Sequence, residues 1–180
     1  MSKAYLNLAF TPAVKAQQER MGSRRSYARL DEMGEGETDR FSRSEAEFIA
    51  ARDGFYFSTV NEDGWPYVQF RGGERGFLKV LDDKTVAFLD LRGNRQYVSV
   101  GNLSANDKVA LFLMDYPNQR RLKIWGHARV EEDASAIFPD ADLKGAERAI
   151  VITLVAYDWN CPQHIPRRFT VEELQALGVL

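Results

Sequence analysis

Short β-type runs separated by turn residues dominate the middle of the chain. GFYFSTV at residues 54–60 is aromatic and β-branched, Asn61, Glu62, Asp63 and Gly64 make a turn, and WPYVQFR at residues 65–71 reads as the returning strand. Pro66 has no N–H to give a ladder, so it belongs at a strand start or at an edge. FLKVL at 77–81, a turn at 82–84 and TVAFLD at 85–90 predict a second hairpin, and residues 108–114 and 121–131 a third. The run AIVITLVAY at 149–157 is too long and apolar for an isolated edge. Six or seven antiparallel strands with few helices between them predict a mainly β fold with flanking helices, closed or nearly closed into a barrel.

Three stretches carry a helical signal instead. Residues 11–29 are polar, with Pro12 placed as a first helical residue and Val14, Gln18 and Met21 near one face, which predicts a single short helix. Residues 42–52 predict a second, capped by Ser42 or Ser44, with Glu45 and Glu47 in the first turn and Phe48 and Ile49 inward. A third is expected to begin just after Gly93, with Tyr97, Val98, Val100 and Leu103 inward. The acidic, glycine-bearing stretch 31–40 lacks periodicity and reads as a mobile connection. The expected organisation is an N-terminal helical extension with its connection at residues 1–43, then a barrel domain at 44–180 ending in a loop and a short helix.

Composition narrows the function classes. At 180 residues, 44% hydrophobic and 28% charged, the sequence is that of one ordinary globular domain. A net charge of -2 and a pI near 5.8 argue against a surface built to neutralise nucleic-acid phosphates or to coat an anionic bilayer. No stretch approaches the roughly 20 apolar residues of a membrane span, and residues 1–10 lack a basic head followed by an apolar segment. A cytoplasmic protein that binds neither membrane nor nucleic acid is expected, and the lone Cys161 agrees with a reducing compartment.

Against that acidic background two basic turns stand out. The segment FLDLRGNRQY at 88–97 passes from period-two alternation into a helical pattern, placing Asn94, Arg95 and Gln96 where a helix start would offer free N–H groups and a positive dipole end. Arg95 adds a bidentate fork suited to phosphate, its alternative being an ion pair with a surface carboxylate. RGGERGF at 71–77 is the second turn, its glycines able to bring bare backbone close to a ligand or simply to form a flexible loop. If both turns share one rim, Arg71 or Arg75 and Arg95 converge on one dianion, while Gly76, Phe77 and Leu78 offer main-chain groups to a flat ring.

The ordered segments FLKVLDDKTVAFLDLRGNRQY, GNLSANDKVALFLMDY and RRLKIWGHARVEE resemble the pyridoxamine 5'-phosphate oxidase-like, FMN-binding split-barrel family over residues 48–132. The resemblance implies an antiparallel split β-barrel that binds FMN at the interface of a homodimer, with a small-molecule substrate or electron donor. It assigns the FMN phosphate to Arg71 or Arg75 with Asn94, Arg95 and Gln96. The flavin ring falls to the main chain at Gly76, Phe77 and Leu78, and Asp90 and Arg121 match positions that line the flavin. Two departures stand beside it. Gln96 occupies the place of a phosphate-binding Lys, and the chain ends CPQHIPRRFTVEELQALGVL where the true oxidases carry a substrate-binding Arg-x-His-Asp-Arg-like signature, so vitamin B6 oxidation is not assigned.

The stretch DWNCPQH at 158–164 is polar and proline-broken. Cys161 and His164 are three apart, yet zinc takes three or four protein ligands and the other histidine, His127, lies in a predicted strand. No metal site and no catalytic side chain are expected. The loop is expected to fold over the flavin of a partner subunit with Trp159 or His164 against the ring, while Trp125 and Tyr116 pack in the core or an interface. An FMN-dependent oxidoreductase is the leading expectation. A flavin store or sensor without turnover is the alternative, followed by a barrel binding single-stranded nucleic acid and a haem-binding variant with His164 as ligand.

Overall fold

The computed structural model describes residues 3–31, 40–159 and 162–180, and the side chains of all these except residues 3 and 29–31. The expected connection at 31–40 and Cys161 therefore lie almost wholly, and wholly, outside the described residues. Three helices open the chain: α1 (Lys3–Ala9), α2 (Pro12–Arg20) and α3 (Arg24–Asp31). The single helix expected over residues 11–29 is two. Gly22 takes φ 74 and the Ser23 N–H bonds back to the Gln18 carbonyl, a left-handed turn that ends α2. No residue of α2 is buried, and Met21 is exposed. By contrast α1 is docked: Tyr5 and Leu6 are buried, the Tyr5 ring lies 4.9 Å from Trp125, and its hydroxyl accepts from Lys123 Nζ at 2.6 Å.

Helix α4 (Arg43–Ala50) begins as its sequence predicts. The Ser42 hydroxyl accepts from the Ser44 N–H, the Glu45 carboxylate returns to the Ser42 N–H at 3.0 Å, and Phe48 and Ile49 are buried. The strands follow: β1 (Gly54–Val60), β2 (Pro66–Gly72), β3 (Lys79–Val80), β4 (Thr85–Leu91), then α5 (Val98–Ala105), β5 (Lys108–Asp115), β6 (Arg120–Glu131) and β7 (Ala146–Trp159). Helix α6 (Val171–Ala176) closes the chain.

All seven strands form one sheet in the order β2-β1-β5-β6-β7-β4-β3, and every pair is antiparallel. Alternate residues of β1, β4, β5, β6 and β7 point inward to the main apolar core, which includes Phe55, Leu111, Ile124, Ile152 and Phe88. Arg71 of β2 and Asp90 of β4 belong to opposite margins of the sheet, yet their side chains are 3.0 Å apart. The sheet has therefore curled until its margins face each other across a split. Gly126 sits where the register of β6 on β7 shifts, and a Cβ there would lie 2.6 Å from the Thr153 carbonyl oxygen.

Two local expectations fail at the split. The strand expected at 77–81 shrinks to Lys79–Val80, because residues 73–77 curl onto the C-terminal end of α4, where the N–H groups of Gly73 and Gly76 bond to the carbonyls of Asp53 and Arg52. The helix expected just after Gly93 begins at Val98 instead. Of its expected inward residues Leu103 is buried while Tyr97 and Val98 are exposed, and Ser99 and Asn102 take the inner positions. Asn102 is satisfied there by the buried Thr59 hydroxyl at 2.9 Å. On the outer face of β4 and β7 residues 134–143 cover a smaller apolar cluster around Ala87, Phe138 and Val151. No helix among the described residues is long and apolar enough to cross a membrane.

Candidate functional site

A polar cleft lies along the split. One wall is Tyr67, Gln69 and Arg71, alternate residues that share one side of β2. The other is Asp90 and Leu91 of β4, the loop 93–97 and the first turn of α5. Arg71 and Asp90 join the walls through their ion pair, and Arg148 of β7 brings its Nε to 3.7 Å from the other Asp90 oxygen. Burial, joined by the nearby Glu147 charge, raises the Asp90 pKa by more than Arg71 and Arg148 beside it lower it. The Nε atoms of both arginines are themselves buried and, among the described residues, find no hydrogen-bond acceptor. An orphaned buried donor costs on the order of 1–3 kcal/mol.

The loop leading to α5 has an unusual backbone. Arg95 and Tyr97 have φ of 61 and 53, while Asn94 and Gln96 do not take positive φ. Left-handed residues at alternate positions are a feature of the backbone nests that bind anions. The Gln96 N–H is taken by Asn94 Oδ1 at 3.2 Å, whereas among the described residues the N–H groups of Arg95 and Tyr97 find no backbone acceptor. Each left-handed non-glycine residue costs roughly 1–2 kcal/mol, so something must hold the loop. Glu147 does: it accepts from Arg92 Nε at 3.1 Å, from the Tyr97 hydroxyl at 3.2 Å and from Arg148 at 3.0 Å. Desolvation works against its charge, but these three donors prevail and lower its pKa. Arg95 itself forms no ion pair with a carboxylate among the described residues.

The structure thus brings together Arg71, Asp90, Asn94, Arg95 and Gln96 around one cleft. The sequence places the last three on a helix start; they lie on the loop before it. A second hollow of ≈ 350 Å³ adjoins Arg71 and Leu91, between the glycine loop and residues 138–144, and Phe77 lines it. Gly76 (φ 77) and the fully buried Leu78 lie in that same loop.

Three expected site residues lie elsewhere. Arg75 points away from the cleft and pairs with Glu173 of α6 at 3.6 Å. Arg121 lies on the outer face of β6, its guanidinium over the Phe112 ring at 5.9 Å and its buried Nε without an acceptor among the described residues. Trp159 is held within its own chain, donating Nε1–H to Glu45 at 2.7 Å and packing edge-on against Phe48. His164 is exposed, with φ 63. Tyr67, Gln69, Glu147 and Arg148 are the additions that sequence reasoning missed. The first two were findable, because they sit two and four residues before Arg71 on a strand.

Residues 42–156, well over half of the chain, match the family model described as pyridoxamine 5'-phosphate oxidase. The chain belongs to that family. No curated protein matches it. Among solved structures it is similar to a candidate pyridoxamine 5'-phosphate oxidase of Lactobacillus delbrueckii, 21% identical, with a TM-score of 0.54 over 67% of this chain and 95% of that one. It is similar also to Group A Streptococcus HupZ, 12% identical, with a TM-score of 0.52 over 72% of this chain and 99% of that one. An FMN-binding protein of Syntrophomonas wolfei is 12% identical, with a TM-score of 0.51 over 79% of this chain and 97% of that one. At these identities the likeness is one of fold, and it agrees with the curled sheet and its split.

Proposed function

We propose that this family member is a flavoprotein that holds FMN in the split and exchanges electrons with a small-molecule substrate. The observation that carries the reading is that Arg71 and Arg95 line one cleft, where among the described residues the buried Arg71 Nε has no acceptor and Arg95 has no carboxylate partner, beside a loop with left-handed residues at 95 and 97. That donor set fits a phosphate dianion. Asn94, Arg95, Gln96 and Arg71 would hold the phosphate, and the main chain at Gly76, Phe77 and Leu78 would meet the ring beside the adjoining hollow. Arg71 stands in for the positive charge that Gln96 does not supply. A bound flavin supplies hydride or electron transfer at its N5, while the protein supplies orientation and excludes water.

The reading includes a homodimer. Tyr56, Val68 and Phe70 are exposed on neighbouring positions of β1 and β2, and Phe112 of β5 lies beside Tyr56. A contiguous aromatic patch of this kind asks for cover, and a second copy is the occupant proposed. It would also give Arg121 a role, since its outward position can reach a flavin only in a partner's split.

The test begins with the purified protein: a flavin absorption spectrum and FMN as the extracted cofactor are expected, with the colour bleached by a reduced nicotinamide or a screened substrate. Arg95→Ala should weaken FMN by about 1.5–3 kcal/mol and leave riboflavin unaffected in a fluorescence titration. Equal FMN affinity in variant and parent would remove the phosphate assignment. A yellow protein that no reductant or substrate turns over would favour the flavin store or sensor.

A further inference from the structure

We propose that Glu147 and Arg148 of β7 are positioning residues for the anion loop, and that they set its preference for a phosphorylated over an unphosphorylated ligand. The inference rests on the reading of the cleft as a phosphate site. Its geometry begins with a register irregularity. Leu91 pairs with Ala146 and Asp90 with Arg148, so Glu147 is the extra residue of a bulge. In a regular strand neighbours face opposite sides of the sheet; the bulge re-aims them, and here Glu147 and Arg148 meet at 3.0 Å on the side where the loop lies.

Both ends of the loop are tied to that pair. Arg92 and Tyr97 reach the same Glu147 oxygen, and the Arg92 N–H bonds to the Gly145 carbonyl at 2.8 Å. The Arg148 guanidinium lies over the Tyr97 ring at 5.3 Å and reaches back to Asp90, which holds Arg71. Six side chains, Arg92, Tyr97, Glu147, Arg148, Asp90 and Arg71, thus connect the loop to the opposite wall of the cleft. Neither Glu147 nor Arg148 lines the cleft, so their effect on a ligand passes through the groups they hold. The two left-handed residues, Arg95 and Tyr97, lie inside the clamped span. Removing the clamp frees them to relax and scatters the N–H groups that the backbone had gathered.

The experiment compares the parent chain with Glu147→Gln, Arg148→Met and Tyr97→Phe. In the ligand-free proteins, amide hydrogen exchange over residues 93–97 should rise on the order of tenfold in the first two variants and less in the third, with the strands unchanged. FMN affinity should fall on the order of tenfold in Glu147→Gln, with riboflavin affinity held within about twofold, so the ratio of the two collapses. A parent chain that shows no preference for FMN over riboflavin would remove the phosphate reading, and this inference with it. A parent that prefers FMN, beside variants that keep the preference or lose both ligands in parallel, would overturn the inference alone. Unchanged exchange in both Glu147→Gln and Arg148→Met would do the same.

Discussion

At the scale of single residues, Glu45 shows how donors hold a buried charge. Glu45 is buried at the N-terminal turn of α4, accepting from the Ser42 N–H and hydroxyl and from Trp159 Nε1. Burial alone would raise its pKa, but those hydrogen bonds outweigh it and the pKa is lowered. A carboxyl lowered in the folded state contributes stability that is present above its unfolded pKa and is lost as pH falls through the folded one. Trp159→Phe removes one charge-assisted donor and should cost about 1.5–3 kcal/mol in urea unfolding at pH 7, with the deficit shrinking as Glu45 protonates in acid. A deficit that holds constant down to pH 3 would show that the loss is one of packing against Phe48. The same indole was expected on a partner's flavin; its bond to Glu45 spans 114 positions of sequence, and no local pattern announces such a contact.

At the scale of elements, legibility followed the range of the forces involved. The strands at 54–60 and 85–90 and the capped helix α4 appear where the alternation, the turn residues and the capping box place them, because those signals act within a few residues. Two departures have longer-range causes: strand β3 is short because the carbonyls of Arg52 and Asp53, just past α4, capture the N–H groups of the glycine loop, and α5 starts late where Glu147 holds the preceding loop. The end of α2 is local, set by the left-handed Gly22 two residues beyond Arg20. Gly126, opposite the bulge that Val155 makes in β7, shows how a single position can matter to the whole sheet. Gly126→Ala would drive a methyl into the Thr153 carbonyl oxygen at 2.6 Å and the Ile152 side chain at 2.7 Å. It should destabilise the protein by about 1–3 kcal/mol, read as a lower melting temperature, and Gly101→Ala, with open space around it, serves as the control.

At the scale of the whole molecule, the curl of one antiparallel sheet creates the site. Tyr67, Gln69 and Arg71 come from one margin, Asp90 and Leu91 from the other, and the cleft exists only because the margins approach. The outer face of β1 and β2 is the complement of that curl, apolar and uncovered where α1 does not reach. Phe70→Glu at its centre should convert a dimer to a monomer in sedimentation velocity, a loss of at least about 2 kcal/mol of association, and flavin should be released with it if Arg121 serves the neighbouring site. A wild-type chain that sediments as a monomer at every concentration would remove the homodimer from the proposal.

By itself the sequence determined the mainly β, antiparallel class, most strand positions, the cap of α4 and the presence of two basic turns, since each is written in residues near one another. Only the tertiary structure decided which basic groups meet. It joined Arg71 to Asp90 and Arg95, sent Arg75 to α6 and Arg121 to the outer face, and brought in Glu147 and Arg148, which no motif marked. The physical reason is that partner choice across a curled sheet depends on strand order, register and one bulge, and these emerge from burial of the shared core rather than from any local preference.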